Sequence, residues 1–314
     1  MLEGAQEMEQ GRDPQQTNAI AGARGQKPES VSFVITNQAK LEHAGPNLAA
    51  LRPAAQEGDE IIVLSAAPSD SAATAAAASW YRTITIPDAC DFTLRAHIPA
   101  VCRKEWIVLL EDHGLINTPA VEAIRELIWR KPDADLIAVL GKNLTSISPW
   151  GWANFLHTFA LIWAPLDGPP PFAAVTAVIV RRQKLGGEEP LRIGAWELQI
   201  IPKIFAGGKV EFSNDIYIDH IKPLKMVSSI LIAFHNARAG AALQRQLGIP
   251  LRNILYEGWY CFVPRPGLLA GALVRRRHEL PPGTFGRLHV IGFGHLIGNI
   301  VGSLLGGGRS AHKL

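Results

Sequence analysis

Four short apolar runs recur along the first half of the chain, VSFVIT at 31–36, EIIVLS at 60–65, WIVLL at 106–110 and DLIAVL at 135–140, with amphipathic stretches between them. A run of five or six residues with no polar alternation has to be buried on both faces, as a strand inside a parallel sheet is. Strands alternating with amphipathic helices make βαβ units, so the pattern predicts an α/β domain with a mainly parallel central sheet flanked by helices. RTITI at 82–86 fits a further strand, and helices are predicted over 41–52, 70–79, 91–104 and 119–130. In the last of these, Thr118 is placed as the N-cap and Pro119 at the first helical position, with Val121, Ile124, Leu127 and Ile128 on one face.

Beyond Gly141 the alternation fades. A Trp-rich segment holding Trp150, Trp152 and Trp163 is followed by an apolar strand from Ala173 to Val180 ended by Arg181-Arg182. A helix beginning near Ile193 carries Trp196-Glu197, two short strand-like stretches over 209–219 lead to Asp219-His220, and a long helix is predicted over 224–247. The expected organisation is a disordered segment at 1–28, an α/β domain at 29–222, and a helical C-terminal appendage at 223–314 with a Gly-rich apolar tail. In that tail Gly294, Gly298, Gly302 and Gly306 recur every four residues, a stripe that allows a helix to approach a neighbour closely. The run 288–308 has no formal charge and is long enough to cross a bilayer, while Arg275 to Arg277 just upstream suit an anionic leaflet. The tail is therefore either a packed helix or a contact with a membrane surface through residues 275–308.

A formal charge of +3 is too mild to imply a nucleic-acid partner. Cys90, Cys102 and Cys261 are odd in number with no CxxC spacing, which supports neither a disulfide framework nor a zinc knuckle and fits a reducing cytosol. No basic region followed by an apolar core opens the sequence, so a cytoplasmic protein, or one peripheral on the inner face of the membrane, is expected.

The residues richest in chemistry are Glu111-Asp112, with His113 behind them, immediately past the run 106–110. Open α/β sheets bind ligands at the carboxyl ends of their strands, so carboxylates there point to a metal and a phosphate. The plainer alternative is a pair of solvated loop acids ahead of a helix. Trp150, Trp152 and Trp163 could stack on sugar rings, but tryptophans in an apolar segment more often belong to the core. Arg181 and Arg182 suit bidentate contact with a diphosphate or, equally, a solvated strand end.

The order of these motifs resembles the family 2 glycosyltransferases with a GT-A fold, particularly bacterial members of polysaccharide pathways. The resemblance spans roughly residues 31 to 240. VSFVIT is followed by Asn37, then come EIIVLS, the acidic LLEDH, the WANF segment, a strand ending in RR, AWE, and a histidine after a strand. The tail GHLIGNIVGSLLGGGRS also looks like the end of such proteins. The resemblance implies a GT-A (Rossmann-like) fold, a nucleotide-diphosphate-sugar donor, Mg²⁺ or Mn²⁺ bridging its phosphates, and a polysaccharide or lipid-linked acceptor. It makes Asp112 a metal ligand with Glu111 or His113 in support, His220 a further ligand, and Glu197 the base that deprotonates the acceptor. The donor would lie along Thr36, Asn37, Ser65, Asp70, Arg181 and Arg182. The chain departs from the family pattern at Ser65-Ala66-Ala67, where an Asp is usual, with Asp70 matching only a later acid, and at Val175-Thr176-Ala177, where relatives tend to carry an asparagine. An inactive GT-A binding or scaffold protein in polysaccharide assembly is the alternative these departures leave open.

Overall fold

The computed structural model describes residues 30–38, 41–66, 79–144, 147–174, 176–185, 196–221, 225–262 and 276–313. The segment predicted to be disordered at 1–28, Asp70, and the 70–79 helix apart from its last residue lie outside them. The first strands form where the apolar runs predict: β1 at Val31–Asn37, β2 at Glu60–Ser65, β3 at Arg82–Thr85 and β4 at Trp106–Glu111. They are followed by the two-residue β5 at Gly114–Leu115, β6 at Leu136–Asn143, β7 at Ala177–Arg181 and β8 at Val210–His220. Every residue of β1 and β4 is buried, because helices cover both faces of the sheet.

The strands make one eight-stranded sheet in the order β3-β2-β1-β4-β7-β6-β8-β5. β1, β2, β3 and β4 pair in parallel, as do β6 and β8, whereas β7 runs antiparallel to both of its neighbours and β5 antiparallel to β8. The carboxyl ends of β1, β2, β4, β6 and β8 therefore share one edge of the sheet. The two short stretches expected over 209–219 are one strand, whose pairing with β6 slips between Ala138 and Leu140.

Helices α1 (Gly45–Ala54), α2 (Asp91–Ala96), α3 (Ile98–Val101) and α4 (Thr118–Arg130) connect the first strands. The helix expected over 91–104 is broken at His97, ahead of Pro99, whose ring lacks an amide donor and would clash with the preceding turn. The cap of α4 is Asn117, whose side-chain oxygen accepts from the Ala120 amide at 2.9 Å. Thr118 is instead the first helical residue, and its hydroxyl donates to the Ala50 carbonyl. Helix α5 (Pro149–Phe159) carries the WANF segment, and Trp152, Phe155, Phe159 and Trp163 pack edge-to-face, tilted or stacked in the core. Trp152 and Trp163 are therefore core residues and cannot serve as an open platform.

A π-helical turn at Trp196–Ile200 leads into α6 (Ile201–Gly207), and α7 (Met226–Gln246), α8 (Leu251–Phe262) and α9 (Thr284–Leu305) complete the fold. The glycine stripe of α9 has its partner within the chain. A Cβ at Gly298 would collide with the Phe234 carbonyl and one at Gly302 with that of Arg238, so α9 lies backbone-to-backbone against α7. By length and composition α9 could cross a membrane, with 39% of that span buried inside the protein. Cys90 and Cys102 are buried free thiols.

Candidate functional site

Glu111 is the last residue of β4 and is 6% exposed. Its carboxylate is held from two sides. One oxygen pairs with Arg95, a fully buried arginine on α2, and the other lies 3.1 Å from His113 Nε2. The second nitrogen of His113 faces Asp112 Oδ1 at 2.9 Å.

The turn between β4 and β5 is fixed by Asn47 of α1. Its buried amide donates to the carbonyls of Glu111 and Gly114 at 3.0 and 3.1 Å and accepts from the Ile116 amide at 2.9 Å. A buried side chain that satisfies three backbone groups leaves the turn little freedom. β5 then pairs Gly114 with His220, and the Ile221 amide donates to the His113 carbonyl at 3.0 Å. This short ladder sets the two imidazoles against each other, ring centroids 4.8 Å apart at 76°. Phe159 packs on the other side of His220, and a ring nitrogen of His220 lies 3.1 Å from the Ile221 carbonyl oxygen.

Glu111, His113 and His220 each bring one potential ligand atom within 4.8 Å of the other two. One carboxylate and two imidazoles fit a divalent cation, and nitrogen donors suit Mn²⁺ better than Mg²⁺, which prefers oxygen ligands. Asp112, expected as the ligand, is not in this group. It stands behind His113, a position from which a carboxylate fixes the ring and its tautomer. Thr36, Asn37 and Ser65 lie at the same sheet edge, Thr36 paired with Glu111 and Asn37 with Ser65, and all three are buried.

Arg181 and Arg182 are not in the site. Because β7 is antiparallel, Arg181 pairs with Trp106 at the start of β4, about 16 Å of strand away from Glu111. Its guanidinium stacks on Trp106, donates to the carbonyls of Ala134 and Pro132, and pairs with Glu105. Arg182 follows it, exposed, with its amide on the Glu105 carbonyl. The proposed diphosphate clamp is thereby overturned. The Glu197 backbone lies in the π-helical turn, and its side chain lies outside the described residues, as does Asp70.

The cluster opens into a cavity of about 590 Å³ between the sheet edge and α5, α7, α8 and α9. Sequence reasoning missed the polar groups that these helices contribute, His157, Gln244 and His295 among them, along with Arg95 and Asn47. A helix periodicity records which face is apolar but not which distant element that face meets. Burial pushes the His295 imidazole down to about 4, so it is neutral at physiological pH.

No protein-family model and no curated protein matches the chain. Among solved structures it is similar to the mannosyltransferase PcManGT from Pyrobaculum calidifontis, determined in complex with GDP-Man and Mn²⁺. The identity is 11%, 88% of this chain and 87% of that one are covered, and the TM-score is 0.54. Glucosyl-3-phosphoglycerate synthase from Mycobacterium tuberculosis is 15% identical over 73% of this chain and 83% of that one, with a TM-score of 0.44. S. aureus TarS 1-349 is 10% identical over 87% and 90%, with a TM-score of 0.42. The mixed sheet with helices on both faces and the match to the mannosyltransferase together show that this chain has the GT-A glycosyltransferase fold.

Proposed function

We propose that the chain is a metal-dependent glycosyltransferase of the family 2 type, moving a sugar from a nucleotide-diphosphate donor to a polysaccharide or lipid-linked acceptor. The observation that carries this reading is the convergence of Glu111, His113 and His220 at the strand-end edge of a GT-A sheet, at the mouth of a large cavity. The bound cation, Mg²⁺ or Mn²⁺, supplies Lewis-acid neutralisation of the charge that grows on the departing diphosphate. Glu111, His113 and His220 would hold it, Asp112 orients His113, and Arg95 aims Glu111. The ends of β1 and β2 at Thr36, Asn37 and Ser65, with Asp70 beyond, receive the nucleoside. The acceptor hydroxyl bonds to the anomeric carbon as that carbon's bond to the diphosphate oxygen breaks. Glu197 takes the hydroxyl proton, and the nucleoside diphosphate leaves with the bonding electrons.

Calorimetry with uridine, guanosine and thymidine diphosphates, each with and without Mn²⁺, tests the donor half. Mn²⁺-dependent binding of one of them is expected, and no binding of any removes the reading. Glu197→Gln should abolish transfer while leaving donor binding intact. The second reading, a GT-A scaffold without turnover, is favoured by Ser65, a buried serine where the resemblance expects a carboxylate. Nucleotide binding without transfer to any glycan would select it.

A cytoplasmic location with peripheral attachment to the inner membrane face through 275–308 is supported by Phe293, Leu304 and Leu305 of α9, which are exposed apolar residues. Absence of co-flotation with anionic vesicles would sink the attachment, and co-flotation that survives Phe293→Asp and Leu304→Asp would sink α9 as its route.

A further inference from the structure

The cavity is much larger than the metal cluster at its mouth needs. Its inner half lies among α5, α7, α8 and α9, and its wall joins small apolar residues of α7 (Ala233, Ala237, Gly240, Ala241) to neutral polar side chains from α5, α7 and α9, with Glu257 from α8. The polar groups are built in. Asn154 donates to the Trp150 carbonyl and to Ser229 Oγ, the latter at 2.7 Å, and Gln244 donates to Glu257 at 3.0 Å. With its amide turned to suit its neighbours, Asn299 donates to the Ala237 carbonyl and accepts from the Gly258 amide, tying α7, α8 and α9 together. Gly258 is a glycine because a Cβ there would lie 2.6 Å from the end of the Asn299 amide.

Three polar atoms of residues on this wall are buried and have no hydrogen-bond partner among the described residues: Thr176 Oγ1, Gln244 Oε1 and His295 Nδ1. A hydrocarbon chain laid over these groups would leave them without partners, so an aliphatic ligand is the wrong chemistry. Among the described residues the wall carries no lysine or arginine, and Glu257 adds a negative charge. Phosphate and carboxylate ligands are matched by cationic forks or clustered backbone amides, and none is offered here. What suits the wall is a neutral molecule with one apolar face and many hydroxyls, because it lays carbon against the α7 surface and hydrogen bonds against the orphaned atoms.

We infer that the inner half of this cavity is a subsite for a neutral, unphosphorylated carbohydrate, which as the acceptor would present a hydroxyl toward Glu111, His113 and His220. Only the word acceptor rests on the transferase reading, since the binding itself does not. The inference narrows the acceptor to an uncharged glycan end and keeps any lipid phosphate out of the cavity.

Gly240 provides the test. It lines the cavity, and a Cβ built there meets nothing within 4 Å, so Gly240→Leu fills the space without a clash on a helix that gains propensity from losing glycine. Saturation-transfer NMR on the full chain with maltose, cellobiose and N,N′-diacetylchitobiose, against glucose 6-phosphate and glucuronate, reads out binding. At least one neutral disaccharide should give a signal that Gly240→Leu abolishes, with none from the charged sugars. If Gly240→Leu melts early, Gln244→Leu carries the same test. No neutral sugar bound, an undiminished signal in the filled variant, or equal binding of glucose 6-phosphate overturns the subsite. Nucleoside diphosphates with Mn²⁺ are titrated into the same samples. Nucleotide binding without neutral-sugar binding removes the subsite and spares the transferase, and sugar binding without nucleotide binding does the reverse.

Discussion

The two edges of the central sheet are built from the same residue types to opposite ends. At the edge where β1 and β4 begin, four acids meet bases and the bonds close on themselves. Arg125 is paired with Asp59 beneath β1, Arg181 with Glu105, Lys184 with Asp135, and Lys209 with Asp133. At the edge where these strands end, one carboxylate meets two imidazoles, and their ligand atoms face a common point beside a cavity. A closed ion pair can only stabilise, whereas donors that converge on one point can also bind. Charge alone therefore does not mark a site in this molecule; what marks it is whether the polar atoms converge on one point beside a cavity.

The sharpest way to break this contrast is at the closed edge. Arg125→Ala leaves Asp59 ionised and buried, its side chain 2% exposed, and should lower unfolding free energy by about 3–5 kcal/mol in a urea titration. Mn²⁺ affinity of the folded fraction should be unchanged. A stability change below about 1 kcal/mol would mean that this edge is not the structural one.

Acid separates the two edges along the pH axis. His295 is held neutral by burial, so the unfolded chain takes up a proton near 6.5 while the folded chain waits until about 4. Stability carried by this group is therefore complete above about pH 6.5 and falls as pH drops toward 4, by up to about 3 kcal/mol. Asp133, held below the usual carboxylate range by its bond to Lys209, contributes stability above that range and loses it only as pH falls further. Thermal melts from pH 7 to 4 should decline in the wild type and flatten in His295→Gln; an equal slope in both would remove His295 as the cause.

At the open edge, binding should respond and stability should not. His113 is about half exposed, so His113→Ala should leave the melting temperature nearly unchanged and weaken Mn²⁺ about a hundredfold by calorimetry. Asp112→Asn should weaken it less, about tenfold, because it acts on the metal only through the His113 ring. Equal effects from the two would restore Asp112 as a ligand.

The same contrast shows what could be read from the residues beforehand. The runs at 31–36, 60–65 and 106–110 announce buried strands because a strand covered on both faces has no polar positions, and Glu111 is conspicuous because it ends one of them. Arg181 and Arg182 end a strand just as conspicuously, yet they belong to the opposite edge. An apolar run carries no sign of its direction, and β7 is inserted antiparallel between parallel neighbours. Thr118 and Asn117 are both good caps, and the choice between them turned on the Thr118 hydroxyl finding Ala50 on α1. Arg95, Asn47 and the polar face of the cavity were hidden for a similar reason, since each acts on residues far away in the chain.

The pairing of Gly114 with His220 also sets the order in which the site comes into being. Glu111 and His113 are synthesised together, but the third ligand arrives only when β8 docks beside β6 and β5 closes against its end. A nascent chain halted before residue 210 holds two of the three cluster residues and no means of adding the third. On the proposed metal site, capture would be a property of the assembled sheet alone, and tight Mn²⁺ binding would report that the last strand is in place.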